Sequence, residues 1–132
     1  MLYGNGIDMA YIPEFQEVLD DPNSFFIGKH FTEQEIEYCR NGGPRRAASR
    51  LAARYAVKEA FLKAVDGPRL HQEAAFIPDY RQIEVRNDEY GRPFLRFHDA
   101  LKEYLREVGI VRSLVTISHT GDYAVAQVLL ET

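Results

Sequence analysis

Residues 44–65, PRRAASRLAARYAVKEAFLKAV, decide the fold that the sequence predicts. Pro44 suits the first turn of a helix, and no helix-breaking residue follows before Gly67. Four apolar side chains form the stripe that should face the core, namely Leu51, Tyr55, Leu62 and Val65. The segment therefore predicts a long central helix.

The residues before this helix predict a strand and two shorter helices. LYGNGID indicates a short strand that ends at Asp8, and a weak helix is expected at about 12–20. Thr32 and Glu35 form a capping box, which predicts a second helix that stops at Asn41.

The residues after the central helix predict mostly strands. In order, we expect a loop at 68–79, a hairpin of 81–87 and 93–97, a helix at 100–108 capped by Asp99 and ended by Gly109, and strands at 113–119 and 123–131. The complete order predicts an α+β fold, with a mainly antiparallel sheet packed against the long helix.

Length and composition limit the classes of protein. With 132 residues, 45% of them hydrophobic and 27% charged, we expect one domain spanning 1–132. The sequence shows no apolar run of membrane-spanning length and no signal-peptide pattern at its start. The single cysteine, Cys39, excludes an internal disulfide and a thiolate-rich metal site. These features predict a cytoplasmic protein without a membrane partner.

Positive charge is concentrated on the central helix. Residues 40–69 carry eight basic and two acidic side chains, so this segment is +6 in a chain of net charge −4. Arg46, Arg50, Arg54 and Lys58 recur at four-residue spacing, which stacks them on a helix with a drift of about 40° per step. This basic ridge is either a solvated face or a local anion site. The remainder of the chain is −10, which argues against a nucleic-acid surface.

Three further features have both a structural and a functional interpretation. Glu59 and Lys63 suit a surface ion pair, or the end of an anion site. Asp8 follows two glycines, so it either caps the next helix or lies where a phosphate or a neighbouring chain approaches closely. His119, in the Ser-His-Thr-Gly strand end, is either structural or a phosphate contact.

Five motifs follow one another along the chain. They are GxGID, FTxxE, RxAxKEAxxKA, a DxxGxP hairpin and SHTxxYAxA, and the central one stands at residues 54–64 as RYAVKEAFLKA. Their order and spacing resemble holo-[acyl-carrier-protein] synthase, the short bacterial type of 4′-phosphopantetheinyl transferase, from Gly4 to Glu131. The resemblance implies the fold of that family, as a homotrimer with sites between subunits.

The resemblance also implies an activity and a set of site residues. The activity is transfer of 4′-phosphopantetheine from coenzyme A to a serine of apo-acyl carrier protein, with release of adenosine 3′,5′-bisphosphate, in fatty acid or polyketide synthesis. The implied residues are Asp8 and Glu59 as ligands of Mg²⁺ (or Mn²⁺), Lys63 beside the pyrophosphate, Lys58 as a further phosphate contact, and Arg54, His119 and Thr120 on the 3′-phosphate side of coenzyme A.

Two carboxylates agree with the usual coordination of Mg²⁺, which combines one or two acids with substrate phosphates and waters. The metal and Lys63 should stabilise the charge that builds on the phosphate oxygens, and Lys63 can protonate the leaving phosphate. The serine proton goes either to Glu59 or to a metal-bound water, and the water is favoured because Glu59 binds the metal.

The chain departs from the family at two places that matter. Glu14 stands where many relatives carry a basic residue that helps dock the carrier protein, and Lys29, Arg45 and Arg46 are candidate substitutes. Residues 66–68 are Asp-Gly-Pro where Gly-Thr-Gly is usual, which affects how the pantetheine arm is held.

Two other functions would use some of the same residues. A non-catalytic coenzyme A-binding module would keep the basic ridge and His119, but it would not need both Asp8 and Glu59. A nucleic-acid-binding domain built on the arginine-rich helix conflicts with the overall acidity and the lack of an aromatic stacking motif. The sequence therefore favours the enzyme.

Overall fold

Five strands and five helices make up the computed structural model, which describes residues 1–132. The strands are β1 (Leu2–Tyr11), β2 (Ile83–Asn87), β3 (Pro93–Phe97), β4 (Arg112–Thr120) and β5 (Tyr123–Glu131). The helices are α1 (Ile12–Asp20), α2 (Phe26–His30), α3 (Glu33–Asn41), α4 (Pro44–Asp66) and α5 (Asp99–Val108). A 3₁₀ turn at Tyr80–Gln82 leads into β2.

The strands form two antiparallel sheets. One has the order β1-β5-β4, and the other is the β2-β3 hairpin. The first and last strands pair over almost their whole length, from Leu2 opposite Glu131 to Tyr11 opposite Tyr123. This confirms the α+β fold with antiparallel strands, and it divides the predicted sheet into two.

The central helix α4 packs directly on the inner face of the three-stranded sheet. A Cβ atom added to Gly4 or Gly6 would lie 1.9 or 1.8 Å from the carbonyl oxygens of Ala64 and Ala60, respectively. Only glycine at these two positions of β1 allows the two backbones to come this close. The two glycines before Asp8 therefore make room for the backbone of α4, a helix of the same chain.

The predicted core is confirmed on α4. Leu51 and Val65 are buried, whereas Tyr55 and Leu62 are partly buried against the same core. The helix begins at Pro44 and ends at Asp66, as the sequence predicted. None of the helices is both long and apolar enough to cross a lipid bilayer.

Three element predictions were wrong in detail. β1 does not end at Asp8, because its backbone stays paired with β5 as far as Tyr11. The helix α2 was not predicted, since five residues are too few to show a helical period. Asp99 does not cap α5 but is its first residue, while His98 holds the cap position without a side-chain hydrogen bond.

The capping box and the remaining helices and strands were predicted correctly. Thr32 accepts from the amide of Glu35, and the Glu35 carboxylate accepts from the amide of Thr32 in return. Gly109 ends α5 in the left-handed conformation, with φ 86°.

Candidate active site

Asp8 and Lys63 meet where β1 crosses α4. Asp8 is two residues beyond Gly6, so strand alternation turns it toward the helix, and it pairs across the sheet with the buried Ala126. The Lys63 ammonium donates to Oδ1 of Asp8 at 3.1 Å and to the carbonyl of Ile7 at 3.2 Å. The side chain of Lys63 is nevertheless 57% exposed, which leaves it free to contact a ligand.

Lys63 therefore pairs across elements with Asp8, and the surface ion pair with Glu59 is not among the ion pairs of the structure. Asp8 caps no helix either, because the N-cap of α1 is Tyr11. Both structural interpretations of these residues are replaced by a contact between β1 and α4.

Glu59 lies one helical turn before Lys63 and is held by a tyrosine. The Tyr80 hydroxyl donates to Oε1 of Glu59 at 3.0 Å. Burial and then the charge of Glu59 raise the pKa of Tyr80, and the more distant charge of Asp8 raises it further. Because Lys63 contacts Asp8 and Glu59 lies one helical turn before Lys63, Asp8 and Glu59 lie on the same side of α4. We call these two residues the carboxylate pair.

Tyr55 closes the other side of this site. Its ring stacks on Tyr80 with centroids 5.6 Å apart and an interplanar angle of 19°. Burial and the neighbouring Glu59 carboxylate raise the pKa of Tyr55 well above its ordinary range. Both tyrosines therefore keep their protons around Glu59 and supply hydrogen-bond donors at neutral pH.

The carboxylate pair has the donor chemistry of a Mg²⁺ site. No three His, Cys, Asp or Glu side chains come together as a metal cluster. Mg²⁺ seldom uses such an all-protein cage; it takes one or two carboxylates and completes its shell with phosphate oxygens and waters. Two hard oxygen donors with an exposed lysine beside them fit that pattern.

A second group of predicted residues lines a cleft of about 850 Å³ on another side of α4. We call it the arginine cleft, and its basic residues are Arg46, Arg50, Arg54, Arg92 and His119. The Arg54 guanidinium lies 4.2 Å from the Tyr38 ring centroid, and the Arg50 guanidinium lies 4.5 Å from the same centroid. Arg54 is only 3% exposed, and its Nε has no hydrogen-bond partner. A buried, unpaired donor in a basic cleft suits an anionic ligand.

The prediction that Lys58 contacts a phosphate is wrong for this structure. Lys58 is fully buried, and its ammonium donates to Oε1 of Glu35 and to the carbonyls of His30 and Tyr80, at 2.7 to 2.8 Å. Burial lowers its pKa, whereas Glu35 opposes that shift. All three N–H donors of the ammonium are engaged, so Lys58 ties α4 to α3, α2 and the 3₁₀ turn and is not part of the predicted basic ridge.

Thr120 does not join His119 in the arginine cleft. His119 pairs with the buried Ala124, so its side chain is on the α4 side of the sheet. Thr120 pairs with Tyr123, and adjacent strand residues point to opposite faces. The family resemblance implied that both residues contact the 3′-phosphate side of coenzyme A, but within one chain their side chains lie on opposite faces of the sheet.

The carboxylate pair and the arginine cleft also lie on different sides of the same helix. Arg54 is five residues before Glu59, which is about 140° around α4, and Arg50 is nine residues before it, or about 180°. Each location alone is incomplete as a site for a ligand with several phosphates.

Sequence reasoning missed Tyr80, Tyr38 and Arg92. Tyr80 lies between the predicted loop and the predicted hairpin, in a stretch without a period. Arg92 follows Gly91 within the DxxGxP hairpin, so its position was visible but its direction was not. No local signal marks Tyr38, which reaches the cleft only because α3 packs on α4.

A third polar region surrounds Glu84, in a cleft of about 710 Å³ without hydrophobic lining. Burial alone would raise the pKa of Glu84, but hydrogen bonds from Thr32, His98 and Arg86 outweigh it and lower the pKa. Glu84 is almost fully buried, with a relative exposure of 3%. None of the predicted site residues lines this cleft.

Comparison with known proteins agrees with this geometry. The family model of the 4′-phosphopantetheinyl transferase superfamily matches residues 4–128. The holo-[acyl-carrier-protein] synthase of Trichlorobacter lovleyi is 42% identical over 132 residues, covering 99% of this chain and 98% of that protein. The enzyme of the same name from Mycobacterium tuberculosis is 40% identical over 131 residues, covering 98% and 97%.

Solved structures show the same fold. ACPS from Chronobacterium ammoniagenes in complex with CoA superposes with a TM-score of 0.86 at 33% identity, covering 96% of this chain and 95% of that one. Acyl carrier protein synthase from Mycobacterium tuberculosis gives a TM-score of 0.78 at 37% identity, covering 99% and 98%.

The chain therefore belongs to the 4′-phosphopantetheinyl transferase superfamily. Within it, the chain belongs with the holo-[acyl-carrier-protein] synthases, which confirms the family, the fold and the enzyme class predicted from the five motifs.

Proposed function

We propose that this chain transfers 4′-phosphopantetheine from coenzyme A to a serine of apo-acyl carrier protein, depends on Mg²⁺ and releases adenosine 3′,5′-bisphosphate. The observation that carries the proposal is the contact of Lys63 with Asp8 at 3.1 Å, one helical turn from the tyrosine-held Glu59. We place this activity in a single domain of residues 1–132. The pairing of β1 with β5 supports that assignment, because it joins the two ends of the chain.

Asp8 and Glu59 would hold the Mg²⁺ ion, with Mn²⁺ as an alternative. When bound there, the ion supplies positive charge to the pyrophosphate oxygens of coenzyme A. The exposed ammonium of Lys63 adds a second positive charge beside the same oxygens.

The reaction breaks one bond and forms another at the β-phosphorus. The serine oxygen of the carrier bonds to the β-phosphorus, and the bond to the bridging oxygen breaks, so that oxygen leaves with adenosine 3′,5′-bisphosphate. Lys63 stabilises the charge on that oxygen and can give it a proton. The serine proton passes to Glu59 or to a water molecule beside it.

The arginine cleft would hold the 3′-phosphate and adenine end of coenzyme A. The Arg54 guanidinium lines this cleft and donates from Nη2 to Oδ1 of Asn87, and His119 lies in the same cleft. An arginine fork is suited to phosphate oxygens, and the face of Tyr38 already fixes the guanidinium plane. Thr120 would contact this end of the ligand only from another copy of the chain.

Two features support a homotrimer with sites between subunits as part of this proposal. The outer face of the three-stranded sheet exposes large apolar side chains, which are Ile7, Met9, Tyr11, Leu114 and Tyr123. Such a face is typical of a protein–protein contact. In addition, the carboxylate pair and the arginine cleft lie on different sides of α4, as expected if each site combines groups from two subunits.

The carrier protein would dock without the usual contact on α1. Glu14 is exposed there, as are Lys29, Arg45 and Arg46 elsewhere on the surface. These three cations are the proposed contacts for an acidic carrier. A panel of fatty-acid and polyketide carriers, compared by kcat/KM, would identify the pathway.

The proposed site of action is the cytoplasm. Cys39 is unpaired and buried, and burial raises its pKa to about 11. A buried thiol of this kind is unreactive and agrees with a reducing compartment.

The test is direct. Full-length protein incubated with coenzyme A, Mg²⁺ and apo-carrier should add one phosphopantetheine group to the carrier's serine, as measured by mass spectrometry. Glu59→Gln should lower the rate by a factor on the order of 100 or more. The matched control is Glu37→Gln, because Glu37 is exposed and makes no ion pair. Full activity in excess chelator would refute the metal requirement.

A further inference from the structure

We propose that Tyr80 is a positioning residue, whose hydroxyl sets the direction of the Glu59 carboxylate within the active site. The inference rests on the proposed function, because the direction of Glu59 matters only if that carboxylate binds the metal. Its basis is the hydrogen bond from the Tyr80 hydroxyl to Oε1 of Glu59, at 3.0 Å.

The ring of Tyr80 is fixed on two sides. Tyr55 stacks on it at 5.6 Å, and His30 meets it edge-on at 4.8 Å with an interplanar angle of 71°. His30 is itself fixed by Nδ1, which lies 2.8 Å from the carbonyl oxygen of Phe26. These contacts hold the phenol ring in the position from which its hydroxyl reaches Glu59.

The backbone of Tyr80 is fixed as well. Lys58 donates to the carbonyl of Tyr80 at 2.8 Å and to that of His30 at 2.7 Å. The same ammonium pairs with Glu35, whose other oxygen accepts from the amide of Val85. The buried pair of Lys58 and Glu35 therefore ties α4 to α2 at His30, to the 3₁₀ turn at Tyr80 and to β2 at Val85.

These contacts give Lys58 and Glu59, which are adjacent in the sequence, complementary tasks. Lys58 turns inward and holds Tyr80 by its backbone, whereas Glu59 turns outward and receives the Tyr80 hydroxyl. Glu59 has three side-chain torsions, so without the hydroxyl its carboxylate would sample several rotamers. Oε1 accepts this bond, and Oε2 takes no part in the contact with Tyr80.

Tyr80→Phe removes the hydroxyl and keeps the stacked ring. Loss of a residue that orients a metal ligand typically weakens metal affinity or activity by about 10–100-fold. We expect a change of that size in the dissociation constant of Mn²⁺, measured by electron paramagnetic resonance on the full-length protein with saturating coenzyme A. The value of kcat should fall similarly, while the KM for coenzyme A changes by less than about threefold.

Tyr104→Phe is the matched control. The Tyr104 hydroxyl is buried and has no hydrogen-bond partner, so its removal is the same chemical change without the proposed contact. It should leave both Mn²⁺ affinity and kcat at the wild-type values. Urea unfolding of both variants checks that the fold is retained.

The outcomes separate the two proposals. If Glu59→Gln abolishes Mn²⁺ binding but Tyr80→Phe binds Mn²⁺ and turns over as Tyr104→Phe does, Tyr80 has no positioning role and only this inference is overturned. If Glu59→Gln binds Mn²⁺ as well as the wild type, the metal assignment is overturned, and the inference with it.

Discussion

Replacing Gly6 with alanine perturbs the contact between β1 and α4 that brings Asp8 to Lys63. The added Cβ would lie 1.8 Å from the Ala60 carbonyl oxygen and 2.8 Å from the Ala64 amide nitrogen. Observed Cβ contacts are essentially never below 3.0 Å, and both neighbours are backbone atoms that cannot rotate away. The strand must therefore move from the helix by about an ångström.

The cost follows from that movement. Overpacking a core typically costs about 1–3 kcal/mol, and a clash of two backbones belongs at the upper end, at about 3 kcal/mol. For a chain of this size, that lowers Tm by about 10 °C. Asp8 lies two residues further along the displaced strand, and a misplacement of about 1 Å can lower the rate about 100-fold.

Urea unfolding and the transfer assay measure the two effects. Gly28→Ala is the control, since a Cβ at Gly28 meets nothing within 4 Å and helix α2 favours alanine over glycine. It should leave activity unchanged and stability equal or slightly higher. A Gly6→Ala protein with full activity, and with a free energy of unfolding within about 0.5 kcal/mol of the wild type, would refute the proposed packing.

Three further predictions concern other parts of the chain. Lys58→Met leaves the buried Glu35 unpaired and should cost about 3–5 kcal/mol in urea unfolding, whereas a loss below about 1 kcal/mol would show that the pair is not a structural tie. The pKa of Glu84 is lowered in the folded chain from an ordinary value of 4.5, so its contribution to stability is present above that pH and is lost as the pH falls through the folded value. Glu84→Gln should therefore show a flatter decline of unfolding free energy in acid, and an identical pH profile would contradict this. Ile7→Glu should yield monomers in sedimentation velocity. The control is Ile77→Glu, at a residue that is 95% exposed in the loop before the 3₁₀ turn, and it should sediment as the wild type. If the wild type and both variants sediment as the same species, the sheet face is not the trimer contact.

The sequence predicted those parts of the fold that depend on local pattern. The central helix was visible because no breaker interrupts it between Pro44 and Asp66. The capping box of Thr32 located the next helix before it, and the tight turn between β4 and β5 was visible in Gly121. Each of these signals acts within a few residues, so no knowledge of the tertiary structure was needed.

The site was less predictable, because its geometry depends on partners distant in sequence. Lys58 continues the spacing of Arg46, Arg50 and Arg54, but three steps of about 40° carry it about 120° around the helix and into the core. Its acidic partner, Glu35, comes from another helix. The four-residue spacing is the same whether the lysine at its end is exposed or buried, so the sequence could not distinguish the two cases.

The role of Tyr80 also could not be predicted from the sequence. Nothing in its neighbourhood of the sequence marks it, since it follows a loop and begins a single 3₁₀ turn. It reaches Glu59, 21 positions away, only because Lys58 and His30 hold that turn against α4. Family motifs identified Glu59, and only the structure identified the residue that orients it.

The most direct test of the account is an anomalous difference map from crystals grown with coenzyme A and Mn²⁺. We expect a peak within coordination distance of a carboxylate oxygen from Asp8 and one from Glu59, with a coenzyme A phosphate completing the shell. A peak that contacts neither carboxylate, or one that contacts only a different pair of acids, would contradict it.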